Sequence, residues 1–122
     1  MWIKMGMFLM LSGVVLGAFG AHGLKAHLSD YGLEIYHTAV FYHFVHGLGL
    51  LVVCGLAKKL SQSKMNMIGS ALFTGVLIFS GSLYVLAITE IKWLGMLTPI
   101  GGLFMIIGWG LCLAWLPASQ LE

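Results

Sequence analysis

Four long apolar runs, at residues 3–21, 35–57, 65–89 and 94–116, fill nearly all of a chain of 122 residues. Each can cross about 30 Å of hydrocarbon, which takes about 20 apolar residues in an α-helix. Inside lipid a backbone satisfies its amides only as a helix or in a closed barrel, and the period-two alternation of barrel strands is absent from these runs. The sequence therefore predicts an all-α fold, with residues 1–122 forming one transmembrane domain, an integral membrane four-helix bundle. Composition points the same way. Sixty per cent of the residues are apolar and 8% charged, with a mean hydropathy of +1.00, whereas soluble domains carry about 25% charged residues. That leaves no room for a soluble catalytic domain. The net charge of +2 comes with six basic residues, all lysine and in no cluster large enough to suggest nucleic acid as a partner. Cys54 and Cys112 lie within apolar runs without CxxC or zinc spacing. The opening "MWIK", its apolar run and "AFGA" also have the outline of a secretory signal, but the segment is counted here as the first span.

Lysine distribution predicts orientation. With four spans, Lys4, Lys58, Lys59 and Lys64 share one side, and Lys25 and Lys92 share the other with Asp30, Glu34 and Glu90. The lysine-rich side is expected to be cytoplasmic, giving an N-in/C-in protein of the bacterial inner (plasma) membrane. Trp2 and Trp115 then fall at the inner interface and Trp93 at the outer one, where indole rings prefer to sit. Pro117 is expected to end the last helix.

Against this frame the in-membrane polar residues sort by depth. His37, Thr38, Tyr42, His43 and His46 occupy the outer half of the second helix, Ser80, Ser82 and Tyr84 that of the third, and Thr98 the outer end of the fourth. The inner halves hold chiefly aliphatic residues, Met, Cys and Gly. The pattern predicts a polar pocket open to the outside over an apolar floor, with His46 roughly 15 Å below the start of its helix at ~1.5 Å per residue. At ~100° per residue, Tyr42, His43 and His46 share a face while His37 points away. An i,i+3 pair such as His43 and His46 can bind a metal jointly, or one imidazole can ligate a haem iron or hydrogen-bond a quinone. The alternative is a purely structural network, in which neutral histidines bond across helices to Ser80, Tyr84 or Thr98. The Glu-x-x-His spacing of Glu34 and His37 occurs in di-iron bundles, but the other carboxylates such a centre needs are missing from the spans.

Gly13, Gly17 and Ala21 recur every four residues in the first span, a spacing that lets helix backbones approach closely, and Gly20 adjoins them. In the fourth, Pro99 is expected to kink the helix ahead of Gly101 and Gly102. Between the first two spans, "HGLKAHLSDYG" carries Leu24, Leu28 and Tyr31 at helical spacing and predicts a short amphipathic surface helix.

The stretches "GAFGAHGLKAHL", "TAVFYHFVHGLGLL" and "FSGSLYVLAITEIKWLGMLTPIGGLFMIIGW" together resemble the DUF423 (UPF0382) family of small bacterial membrane proteins, to which a small eukaryotic four-span protein is related. The resemblance covers about residues 6–109. It implies a four-helix membrane protein and no known activity. The matching positions are Gly17, Phe19, Gly20, His22, Thr38, Tyr42, His46, Ser80, Gly81, Ser82, Tyr84, Thr98, Pro99, Gly101 and Gly102. His37 and His43 depart from the family pattern, which has glutamine there. The resemblance thus favours His46 with His22 as the pair sharing a polar site, and a hydrogen-bonding role over a metal.

The expectation is a membrane protein embedded in the lipid bilayer, an accessory, scaffold or small subunit, in a homo-oligomer or a larger membrane complex. Binding of a quinone, lipid, haem or metal at His46 is the alternative, and an oligomeric transporter or channel a second one. No nucleophile is paired with a base, no cofactor is required by the sequence, and no catalytic residue is assigned.

Overall fold

The computed structural model describes residues 1–116, and every regular element among them is helical. The helices are α1 (Trp2–Phe19), α2 (Asp30–Leu56), α3 (Gln62–Thr89) and α4 (Thr98–Trp115). A π-helical turn, Gly20–Leu24, continues α1, and a 3-10 turn, Lys92–Met96, precedes α4. With those turns included, all four helices are long and apolar enough to cross a membrane. Pro117 lies outside the described residues.

Polar caps set boundaries that the apolar runs alone misplace. Ser29 starts α2 at Asp30, its hydroxyl accepting the Gly32 amide at 3.0 Å, and Asp30 sits in the first turn where the helix dipole favours an acid. The expected separate surface helix therefore does not form. Its apolar positions divide between the π-helical end of α1, a tight turn and the first turn of α2. Ser61 caps α3 in the same way through the Lys64 amide at 3.4 Å. Pro99 does not kink α4 either, because it occupies the first turn, where no amide donor is needed and its ring meets no preceding carbonyl.

The packing follows chain order. α1 packs chiefly on α2, α2 on α3, and α3 on α4, so α2 and α3 form the middle and α1 and α4 flank them. Close approach rests on small residues. Gly13 and Gly17 of α1 receive the Phe44 ring, and Gly20 lies against Tyr36, whereas Ala21 is exposed. The tightest crossing is between α3 and α4. A Cβ on Gly101 would fall against the Phe79 amide and 2.8 Å from the Gly75 carbonyl oxygen, so only glycine allows the two backbones to meet there.

Two apolar clusters result. The larger joins Leu9, Leu50, Val53, Ile68, Leu72, Val76, Met105 and Cys112, and the smaller joins Ala39, Leu83 and Leu86. The ends of the bundle are tied by polar contacts. At one end the Trp2 indole donates to Asn66 at 2.9 Å, and the Lys64 ammonium stands 5.3 Å from the Trp115 ring. At the other the Ser29 hydroxyl donates to the Glu90 carboxylate, and Glu90 closes α3 in the left-handed region at φ 55°. The first end thus carries the start of α1, the α2–α3 turn and the end of α4.

Candidate functional site

Polar side chains on α2 point into two different crevices, and the division falls between His43 and His46. His43 is clamped at both ring nitrogens. Its Nε2 lies 3.1 Å from the Ser12 hydroxyl of α1, and its Nδ1 lies 3.0 Å from the Tyr84 hydroxyl of α3. Ser12 has one proton and an acceptor for it in the Phe8 carbonyl at 2.8 Å. The arrangement satisfying every group is a relay: Tyr84 O–H donates to Nδ1, Nε2–H donates to Ser12, and Ser12 donates to Phe8. Reversing it would strand the Tyr84 proton without an acceptor among the described residues. A neutral imidazole therefore bridges three helices, beside a cavity of about 240 Å³ lined by Leu9, Val76 and Ser80.

His46, one turn on, turns toward α4. Its Nδ1–H donates to the Tyr42 carbonyl at 2.9 Å; a carbonyl only accepts, so the proton must be on that nitrogen. The ring stacks on Tyr42 (centroids 5.9 Å apart, planes at 11°) and faces Trp109 at 5.9 Å. Tyr42 in turn packs on Phe79 at 4.4 Å. These rings, with Gly102 and Met105, enclose a cleft of about 300 Å³. Nε2 has no hydrogen-bond partner among the described residues.

The remaining expected site residues serve the bundle. The Ser80 hydroxyl donates to the Ala39 carbonyl at 2.8 Å and joins α3 to α2. Ser82 donates to the Phe79 carbonyl at 2.9 Å, which leaves its oxygen to accept from Thr98 of α4, also at 2.9 Å. Gly102 borders the cleft, and a Cβ added there would meet Phe79 ring carbons at 3.8 and 3.9 Å. His37 is exposed in a surface groove with Asp30 and Glu34, and Thr38 bonds back to the Glu34 carbonyl at 3.2 Å.

Two expected pairings do not form. His43 and His46 diverge into separate crevices, because one faces α1 and α3 while the other faces α4. His22 is exposed in the π-helical turn and does not join His46, since α1 packs on the opposite side of α2 from the cleft. Among the described residues no three His, Cys, Asp or Glu side chains are placed to hold a metal ion. Sequence reasoning also passed over Ser12, Tyr36, Phe79 and Trp109. Ser12 is the sole hydroxyl in α1, and the buried series Tyr36, Ala39, His43, His46 keeps alternating steps of three and four along α2. Tyr36 donates to the Leu16 carbonyl of α1 and meets Tyr84 edge-on at 5.1 Å.

Fold and site together define a small membrane protein whose described residues are helical, with four helices long and apolar enough to cross a membrane. The chain belongs to the family described as protein of unknown function (DUF423), whose model matches residues 16–102. It is 48% identical over 109 residues to the UPF0382 membrane protein YwdK of Bacillus subtilis (strain 168), covering 88% of this chain and 89% of that relative. It is 46% identical over 109 residues to the UPF0382 membrane protein SH2409 of Staphylococcus haemolyticus (strain JCSC1435), covering 89% and 88% respectively. Over 108 residues it is 47% identical to SERP0230 of Staphylococcus epidermidis, with 88% of each chain covered. No solved structure matches the chain. The family segment encloses His43, His46, Ser80, Tyr84 and Thr98, while Ser12 and Trp109 lie outside it.

Proposed function

We propose that the protein is a non-enzymatic component of the bacterial inner membrane, an accessory or scaffold subunit that works in a homo-oligomer or within a larger membrane complex. The observation that carries the reading is the use made of in-membrane polar groups. His43, Tyr36, Ser80 and the Ser82–Thr98 pair each bond one helix to another. Such bonds hold membrane bundles together at about 0.6 kcal/mol each. Among the described residues the larger apolar cluster fills the half that holds the start of α1 and the end of α4, which argues against a polar path through a lone protomer. Its outer surface is apolar, with Leu113 88% and Ile106 70% exposed, as a lipid or subunit contact requires. Both termini are assigned to the cytoplasm, because Lys4, Lys58, Lys59 and Lys64 share their side.

Cross-linking in intact membranes, followed by mass measurement of the detergent-solubilised particle, tests the assembly. A discrete species larger than one chain is expected, and a monomer at every cross-linker dose would refute the reading. Membrane-impermeant thiol labelling of whole cells tests the orientation: Lys25→Cys should be labelled and Ser63→Cys protected.

A further inference from the structure

We infer that the cleft between α2 and α4 binds a hydroxylated aromatic headgroup of the hydroquinone class, entering sideways from the lipid, with His46 Nε2 accepting its hydroxyl proton. This goes beyond the accessory reading and does not depend on it. His46 is 6% exposed, yet one of its two ring nitrogens lacks a partner among the described residues. A buried acceptor without a donor is costly in an apolar medium. Of the four buried polar side chains among the described residues, His43, Ser80 and Ser82 are satisfied from within the fold and His46 is the exception.

The fixed tautomer sets the chemistry of the ligand. With Nδ1–H committed to the Tyr42 carbonyl, Nε2 carries a bare lone pair and can only accept. A ligand must therefore bring an O–H or N–H. An oxidised quinone offers only carbonyl oxygens, and two acceptors would face each other; its reduced form carries the required hydroxyl. The walls set the shape. Tyr42, Phe79 and Trp109 offer aromatic faces, and the Met105 thioether closes the back, surfaces that suit a flat ring. At about 300 Å³ the cleft is at the lower end of small-molecule sites, room for one ring but not for a porphyrin macrocycle. Ile106 on the rim is 70% exposed and Trp109 38%, so the cleft opens toward lipid and an alkyl tail can remain outside. Among the described residues no three His, Cys, Asp or Glu side chains gather here, so the cleft offers a metal ion only one imidazole beside the Met105 thioether, a poor site.

The test uses the full chain in phospholipid nanodiscs, titrated calorimetrically with decyl-hydroquinone, with the corresponding decyl-quinone, and with dodecanol as an aliphatic hydroxyl. The hydroquinone should bind about tenfold more tightly than the quinone, the weight of one hydrogen bond. His46→Leu should erase that preference. Gly102→Leu, at a position where an added Cβ makes only ordinary contact with the Phe79 ring at 3.8 Å, should fill the cleft and weaken both redox forms while the bundle still melts as the wild type does. Equal affinity for the two redox forms, absence of binding, or a preference that survives in His46→Leu would overturn the site. Dodecanol binding as tightly as the hydroquinone would overturn the aromatic assignment.

Discussion

His43 and His46 stand three residues apart on one helix and are buried alike, at 5% and 6% exposed, yet their surroundings differ in kind. His43 is closed at both nitrogens by hydroxyls from α1 and α3, whereas His46 is closed at one, by its own helix, and its other nitrogen has no partner among the described residues. Burial alone does not separate a structural histidine from a binding one; the count of satisfied nitrogens does. Position in the packing order creates the difference. His43 looks into the crevice between a flanking helix and the middle pair where hydroxyls converge, and His46 looks into the opposite one, where aromatic rings do.

The largest effect is expected beside the open cleft, where α4 crosses α3. Gly101→Leu would force a side chain against the Phe79 amide and the Gly75 carbonyl, prising α4 from α3. It should cost about 3 kcal/mol in an unfolding titration in mixed micelles, the upper range for overpacking. His43→Leu comes next, at about 2 kcal/mol, because it leaves the Tyr84 hydroxyl without an acceptor and Ser12 without its donor. His46→Leu should cost less than about 1 kcal/mol in the same titration, since the Tyr42 carbonyl loses only a second donor and nothing else is stranded. A larger loss at His46 than at His43 would reverse the assignment of the two sides.

The sequence carried the spans and the depth of the polar residues, and it missed how those residues pair. Apolar runs of about 20 residues are legible because lipid permits few alternatives. The boundaries were less so. Ser29 begins α2 inside a stretch whose apolar spacing also suits a surface helix, and Leu94 to Leu97 extend the fourth apolar run although Pro99 makes Thr98 the natural helix start. Pairing required knowing which helices touch. The 100° rule places His43 and His46 on one face, but a face 60° wide spans two crevices when a helix has neighbours on both sides. Ser12, Phe79 and Trp109 are ordinary residues of apolar spans in the sequence and enter the sites only because α1, α3 and α4 bring them to α2.

The ¹⁵N NMR spectrum of the imidazoles in the micelle-bound protein, assigned by comparison with His43→Gln and His46→Gln, separates the two histidines without intermediate steps. The relay through Ser12 places the proton of His43 on Nε2, and the Tyr42 carbonyl places that of His46 on Nδ1. Two neutral rings in opposite tautomers, with a bare Nε2 on His46, are therefore expected. Both rings in one tautomer, or a protonated Nε2 on His46, would contradict the division between a closed histidine and an open one.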